Sequence, residues 1–191
     1  LLLPRVLTMA CIQGYFVARD SIASRFGEAG VGALNLGWTI QQVPETILGT
    51  AIAIALLPTL SEFITAGNHA SFVETTNRAL RVMLALSLPV AAILAVSIRP
   101  LVATFFGFEA GQLNLVTWCT WAFLVGLAGE TWLETAVRAF YANQNTRTPL
   151  IAAFCQAVAF FLLAKLLSTW IGLAGIPLAA SLTFTIQAVI L

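Results

Sequence analysis

Long apolar segments alternate with short polar ones along the whole chain. A helix needs about 20 mostly apolar residues to cross the hydrocarbon core of a bilayer, and most of these segments approach or exceed that length. They predict membrane-spanning helices over residues 3–26, 31–57, 72–98, 115–141, 149–170 and 176–191. The pattern therefore predicts an all-α integral membrane protein built as a six-transmembrane-helix bundle.

The second predicted span carries a line of polar side chains inside an apolar run. Four of them recur with the spacing i, i+4, i+7, i+11, which puts them on one face of a helix. These four are Asn35, Thr39, Gln42 and Thr46. A polar face of this kind favours a transport pathway or interhelical hydrogen bonding, and the spacing leaves both open.

Pro44 and Glu45 lie within the same span. Proline removes a backbone donor, so we expect the helix to kink at Pro44. An ionisable side chain within a span is expected to face the protein interior or a water-filled cavity. Glu45 is therefore a candidate for a residue that lines a substrate cavity.

The first predicted span contains two adjacent charges, Arg19 and Asp20. Neighbouring residues differ by about 100° around a helix, so we expect the two side chains not to face each other. Asp20 is a candidate cavity acid or ion ligand, and equally a candidate partner in an interhelical salt bridge. Arg19 and Arg25 are expected to extend toward the membrane interface, as long basic side chains near helix ends do.

The fourth predicted span carries Glu130, Glu134 and Arg138 on one stripe with i, i+4 spacing. Glutamate four residues before arginine is the favourable order for an ion pair, so we predict a structural pair between Glu134 and Arg138. Glu130 then needs a partner on another helix, a proton or water. We assign Glu130 and Glu134 as candidates for a cavity-facing relay or cation site, with a purely structural role as the alternative.

The ends of the spans carry recognisable signals. Residues 59–70 are expected to form a polar loop. Ser71 and Glu74 have the spacing of a capping box, which predicts that the third helix starts at Ser71. Thr148 and Pro149 are predicted to be the N-cap and first residue of the fifth helix.

Composition supports the assignment to a membrane. Hydrophobic residues make up 60% of the chain and charged residues 9%, whereas soluble domains have about 25% charged residues. The mean hydropathy is +0.94. The net charge of +1 and the lack of a basic cluster in the sequence argue against binding of nucleic acid.

The sequence contains few residues suited to catalysis or metal binding. Cys11, Cys119 and Cys155 lie in apolar segments at unrelated spacings, so we interpret them as small packing residues rather than a metal site. His69, the single histidine, lies in a polar segment. We expect neither an enzyme nor a bound metal or cofactor.

Basic residues predict the orientation of the spans. The side with the N-terminus and the segments 58–76 and 142–148 carries more arginine than the other, which has Arg25, Arg99 and Lys165. The arginines of the first side are Arg5, Arg78, Arg81, Arg138 and Arg147. The positive-inside rule places this side, and both ends of the chain, in the cytoplasm.

Several motifs resemble those of one transporter family. The second span and its ending, LLPTLS at residues 56–61, resemble the eighth transmembrane helix of the MurJ/MviN family of the MOP exporter superfamily. LPRVL at residues 3–7 resembles the opening of the family's seventh helix, and AGNH at 66–69 lies in the following loop. RAFYA at 138–142, continuing through QNTRTP at 144–149, resembles the junction of the tenth and eleventh helices.

The resemblance implies a fold and a function. It implies one lobe of a MATE/MOP-type exporter, helices seven to twelve of a longer protein whose N-terminal lobe is the partner of this one. It also implies a bacterial plasma-membrane flippase that moves lipid II, the undecaprenyl-linked peptidoglycan precursor, from the inner to the outer leaflet for cell-wall synthesis. Alternating access between two lobes, in contact with membrane lipids, is the implied mechanism.

The chain departs from the family pattern at one position. Family members carry an arginine on the eighth helix before the proline that corresponds to Pro44, and this position is Thr39 here. An acidic position of some members corresponds to Trp38. The alternatives are therefore an exporter of another lipid-linked oligosaccharide, or a transport-inactive scaffold of a cell-wall complex.

Overall fold

The computed structural model describes the backbone of residues 2–191 and the side chains from residue 6 onward. The described chain is almost wholly helical. Its helices are α1 (Leu2–Ala23), α2 (Gly27–Glu45), α3 (Ala51–Thr65), α4 (His69–Phe106), α5 (Ala110–Ala142), α6 (Arg147–Ile171) and α7 (Gly175–Ile190). Single 3₁₀ turns, Ser24–Phe26 and Gly172–Ala174, join α1 to α2 and α6 to α7. The all-α fold class predicted from the sequence is confirmed.

The second predicted span is longer than expected. A π-helical turn, Thr46–Thr50, joins α2 to α3 without a loop. The helical path continues through Pro58 to Thr65, so the prediction of a loop over residues 59–70 is wrong for its first part. Proline lacks the amide that its own position would donate, but the following residues still bond within the helix. The departure from α geometry that Pro44 predicts begins two residues later, as the π turn that starts at Thr46.

Two helix starts differ from their predicted positions. The α4 helix begins at His69, because the side chain of Asn68 accepts the backbone N–H of Ser71 at 3.1 Å and serves as N-cap. Ser71 is therefore not the cap, and Glu74 lies 3.8 Å from Arg78 in an exposed ion pair. This arrangement satisfies an otherwise unpaired amide just as the predicted capping box does.

The α6 helix begins at Arg147, before the predicted start. Here Asn145 Oδ1 accepts the backbone N–H of Thr148 at 3.2 Å, so an asparagine again supplies the oxygen that the prediction assigned to a hydroxyl. Thr148 lies inside the helix, and Pro149 follows it in the first turn, where its missing amide leaves no bond unmade.

Three described segments are long and apolar enough to cross a membrane. They are Val6–Thr65, His69–Phe106 and Arg147–Ile190, and the first and last contain helices joined by 3₁₀ turns. Among the described helices, α5 does not meet the same criteria. The chain is thus a membrane protein by length and composition, while the count of six crossings stays a prediction.

The α5 helix lies at the centre of the bundle, where it packs against α2, α3, α4 and α7. Small residues allow the closest approach, because Gly126 and Gly129 of α5 lie directly against Ser181 and Thr185 of α7. Ser181 Oγ donates a hydrogen bond to the carbonyl of Ala122 at 2.7 Å. A central helix exposed to so little lipid does not need a continuous apolar surface, which explains its many polar residues.

Large apolar side chains lie both in a buried core and on the exposed surface of the bundle. Tyr15, Phe123 and Phe160 are buried in one cluster, whereas many large apolar side chains of α4 and α6 are exposed, as lipid-facing residues are. Cys119 is buried and fits the predicted packing role. Cys155 is exposed, so the packing interpretation is wrong for that residue.

Candidate functional site

Arg19 of α1 is buried between α1 and α2, with 4% of its side chain exposed. Its Nε donates to Asp20 Oδ1 at 3.0 Å, and its Nη2 donates to Asn35 Oδ1 of α2. The guanidinium also lies 5.0 Å from the ring centre of Phe16 and 5.8 Å from that of Trp38. Both arrangements are cation–π contacts.

These contacts overturn two expectations about Arg19. Its side chain does not extend toward the interface, and it does pair with Asp20 despite the 100° between their positions. Arginine is long enough to bend back to a neighbouring residue, and its planar fork can then bond two partners at once. Asp20, about half exposed, serves as the partner of a buried cation.

The predicted polar face of α2 exists and is largely uncovered by the other described residues. Thr39, Gln42 and Thr46 are exposed, and Asn35 is half-buried where it meets Arg19. Thr39 Oγ1 donates to the carbonyl of Asn35 at 2.9 Å, one helical turn earlier. The face thus presents hydroxyl and amide groups to whatever lies beside this bundle.

Gln41, on the other side of α2, makes a buried contact with α5. Gln41 Nε2 donates to Glu130 Oε2 at 2.5 Å. Glu130 is 7% exposed and Gln41 is fully buried. Gln41 falls outside the i, i+4, i+7, i+11 spacing of the polar face, and its partner lies 89 residues away in sequence.

Glu45 is half-buried at the start of the π turn. Thr50 Oγ1 donates to one carboxylate oxygen at 3.3 Å, and Thr46 Oγ1 lies 3.4 Å from the other. A side chain at Gly49 would have its Cβ 2.9 Å from Glu45 Oε1 and 3.2 Å from the backbone of Thr131. Glycine at this position therefore allows the carboxylate to lie against its own helix beside α5.

The predicted ion pair on α5 is present, with Arg138 Nη1 3.0 Å from Glu134 Oε2 and both side chains partly buried. The pair is close enough to Glu45 for electrostatic interaction. Glu130 interacts electrostatically with both Glu45 and Glu134. Glu45, Glu130 and Glu134 thus form one neighbourhood of three carboxyl groups. Asp20 and Asn35 instead contact Arg19.

Two further polar residues of the core lay outside the sequence prediction. The hydroxyl of Tyr15 is buried among aromatic rings and has no hydrogen-bond partner among the described residues. Gln156 of α6 donates to Thr183 Oγ1 of α7 at 3.3 Å. Within the part of the chain that the structure describes, no group of three or more His, Cys, Asp or Glu side chains is placed to hold a metal ion.

Comparison with known sequences places the chain among transporters of one kind. The family described as lipid II flippase MurJ matches residues 1–191. A lipid II flippase MurJ of Burkholderia cenocepacia is 26% identical over 193 residues, covering 100% of this chain and 37% of that protein. A probable lipid II flippase MurJ of Rhizobium meliloti is 30% identical over 196 residues, covering 100% of this chain and 36% of that protein.

Solved structures share the fold. A structure described as lipid II flippase MurJ in an inward closed conformation aligns with a TM-score of 0.87 at 21% identity, covering 98% of this chain and 40% of that one. An outward-facing MATE multidrug resistance transporter of the MOP superfamily aligns with a TM-score of 0.88 at 13% identity, covering 98% and 42%. At these identities the likeness shows the fold, that of one lobe of a MATE/MOP-type exporter.

The chain spans well under half the length of these relatives, but the family match covers every residue of it. The helices of the fold, the polar face of α2 and the motifs at the helix ends all fall within the matched region. The chain therefore belongs to the MurJ family of lipid II flippases.

Proposed function

We propose that this chain is one transmembrane lobe of a flippase that moves lipid II from the inner to the outer leaflet of the bacterial inner membrane. The observation that carries the proposal is the family match over the whole chain. The missing partner in this proposal is the other lobe of the same protein, and both ends of the present chain lie on the cytoplasmic side. The transport cycle is alternating access between the two lobes.

The exposed polar face of α2 supports a cavity between the lobes. A lipid II headgroup carries sugars, a peptide and a pyrophosphate, and unpaired polar groups in hydrocarbon are costly. Thr39, Gln42 and Thr46 are exposed in this lobe and offer hydrogen-bonding groups to such a headgroup. Asn35, Glu45 and Glu134 continue the same path in the proposal.

Arg19 supports recognition of the pyrophosphate. The family's arginine is replaced by Thr39, but the guanidinium of Arg19 contacts Asn35, one helical turn from Thr39. Arginine suits phosphate because its planar donors match the phosphate oxygens. In the proposal Arg19 leaves Asp20 and turns its donors toward the headgroup when the cavity opens.

Thr39 itself favours a second candidate cargo. Without an arginine at that position, the face of α2 carries no positive charge of its own. A lipid-linked oligosaccharide with a less anionic headgroup would then suit the cavity better than lipid II.

The experiment that tests the proposal uses the full-length protein to which this chain belongs. The resident lipid II flippase is depleted in a bacterial host, the full-length protein is expressed, and lipid II exposed on the outer leaflet is measured. We expect exposure to be restored. A well-expressed protein that restores none would overturn lipid II as cargo and leave the second candidate or a transport-inactive scaffold.

Variants in the same assay test the assigned residues. Arg19→Gln is expected to lower exposure at least 10-fold, since a charge-assisted hydrogen bond contributes about 1.5–3 kcal/mol. Arg25→Gln is the matched control, because Arg25 is exposed in the 3₁₀ turn that follows α1. Equal loss in both variants, or in neither, would contradict the role of Arg19.

A further inference from the structure

The buried contact between Gln41 and Glu130 leaves two oxygen atoms without partners. Gln41 Nε2 donates to Glu130 Oε2, but Glu130 Oε1 and Gln41 Oε1 have no hydrogen-bond partner among the described residues. Both atoms are sealed from solvent within the protein. Buried polar atoms in folded proteins are almost always paired, so two adjacent exceptions need an explanation.

An ionised carboxylate does not fit this site. It offers only acceptors, as does the carbonyl end of the glutamine amide, so neither of the two unpaired oxygens could donate a hydrogen bond to the other. The ion pairs found among the described side chains involve Asp20, Glu74 and Glu134, and none of them neutralises Glu130. A buried carboxylate with one hydrogen bond and no cation is strongly disfavoured.

A single proton resolves both unpaired oxygens. With a proton on Oε1, Glu130 becomes a donor, and the carbonyl oxygen of Gln41 is the acceptor that lacks a donor. The amide and the carboxylic acid then bond reciprocally, N–H to carbonyl and O–H to carbonyl. We propose that Glu130 and Gln41 form a proton-binding site that joins α2 to α5 while the proton is bound and releases it to water when the two helices separate.

The charged groups around the site agree with this assignment. Glu45 faces it from α2 and Glu134 from α5 itself, and both are acids that disfavour another negative charge. Tyr15 faces it from α1 with a neutral hydroxyl. The sequence of α7 contains no titratable side chain.

The remaining helices packed against α5 contribute no charge that reaches the site. The titratable side chains of α3 and α4 are exposed, away from the buried pair. They are Glu62, His69, Glu74, Arg78, Arg81 and Arg99. The titratable side chains of α6, which also contacts α5, are exposed as well, and they are Arg147, Cys155 and Lys165. The cations of α1 and α5 nearest the site, Arg19 and Arg138, are paired with Asp20 and Glu134. Neither arginine is among the groups that interact electrostatically with Glu130, so the site lacks a cation that could hold Glu130 ionised.

The site couples a proton to the packing of this lobe. Loss of the proton places a charge at the α2–α5 contact and breaks the reciprocal pair, which favours separation of the helices. The π turn, Thr46–Thr50, follows Gln41 along the same helix and gives it a place to bend. The inference identifies a proton as the ion whose release accompanies the separation of α2 and α5. It does not depend on which lipid the flippase carries.

Infrared spectroscopy of the purified full-length protein tests the proposal. At neutral pH we expect a protonated carboxyl C=O band that shifts in deuterium oxide and is lost in Glu130→Gln. Glu45→Gln and Glu134→Gln are the matched controls and keep the band. A spectrum in which Glu130→Gln leaves the protonated carboxyl signal unchanged would overturn the proposal.

Two further measurements remain informative if the band is weak. Gln41→Met removes both partners of the carboxyl group and is expected to move the band to higher frequency, while an unmoved band would contradict the reciprocal pair. Thermal stability of the wild type is expected to fall more steeply with rising pH than that of Glu130→Gln, because only the wild type must ionise a buried acid. Identical pH dependence of thermal stability in the wild type and Glu130→Gln would contradict proton binding by Glu130. Loss of this pH dependence in Tyr15→Phe, in which Glu130 is intact, would also contradict it.

Discussion

Gly129 lies where α5 and α7 come closest together, which makes Gly129→Ala a sharp test of the packing. A Cβ at this position would lie 2.2 Å from Thr185 Oγ1 and 2.7 Å from Thr185 Cα. Carbon atoms in contact prefer separations of about 3.5–4.0 Å, so the two helices would have to move apart by about 1 Å. The obstructing Cα belongs to the backbone, so a rotamer change cannot remove the clash.

The energetic cost follows from that displacement. Overpacking of a close-packed interior costs about 1–3 kcal/mol. Moving α7 also stretches the hydrogen bond from Ser181 Oγ to the carbonyl of Ala122, now 2.7 Å long. Alanine returns about 0.5–1 kcal/mol through its higher helix propensity. We expect a net loss of about 1–2 kcal/mol.

Thermal unfolding of the full-length protein in detergent measures the effect. The matched control is Gly32→Ala on α2, where an added Cβ meets nothing within 4 Å. We expect Gly129→Ala to lower the Tm and Gly32→Ala to leave it unchanged or raise it. Equal Tm values for the two variants would refute the close approach of α5 and α7.

Three further predictions concern local contacts. Asn68→Ala should destabilise the start of α4 by about 1 kcal/mol, because Asn68 is the N-cap, whereas Ser71→Ala should not. Hydrogen exchange of the amides in the first turn measures the difference, and a larger effect of Ser71→Ala would support the capping box instead. Trp121→Phe should cost about 1 kcal/mol in thermal unfolding, since its Nε1 donates to an α4 carbonyl at 2.8 Å, and no change would contradict that bond. Exchanging the pair, Glu134→Arg with Arg138→Glu, should recover part of the Tm that either single change loses, and failure to recover would mean that the 3.0 Å contact contributes nothing.

Periodicity along single helices was enough to predict part of the geometry of the candidate site. The spacing of Asn35, Thr39, Gln42 and Thr46 identifies a face of α2, and that face is uncovered in the structure. The i, i+4 spacing of Glu134 and Arg138 likewise identifies a pair that the structure contains. Both features depend only on the geometry of one helix, which the sequence specifies directly.

Contacts between helices could not be predicted in the same way. Gln41 and Glu130 belong to different helices, and nothing in the spacing of either one indicates the other. The contacts of Arg19 differ from the prediction because the position of a residue around the helix decides where its Cβ points. That position does not decide where a long guanidinium side chain ends. The starts of α4 and α6 differ from their predicted positions because asparagine side chains accept the backbone N–H groups that serine and threonine were expected to cap.

The most direct test of the account is binding of lipid II to the purified full-length protein. The account predicts that Arg19→Gln weakens binding about 10-fold or more, that Arg25→Gln does not, and that adding Thr39→Arg to Arg19→Gln restores it. Binding restored by an arginine at position 39, one helical turn from Asn35, would show that the headgroup contacts a cation at this part of α2. Unchanged affinity in Arg19→Gln, or no gain from Thr39→Arg, would contradict the proposed recognition of the headgroup.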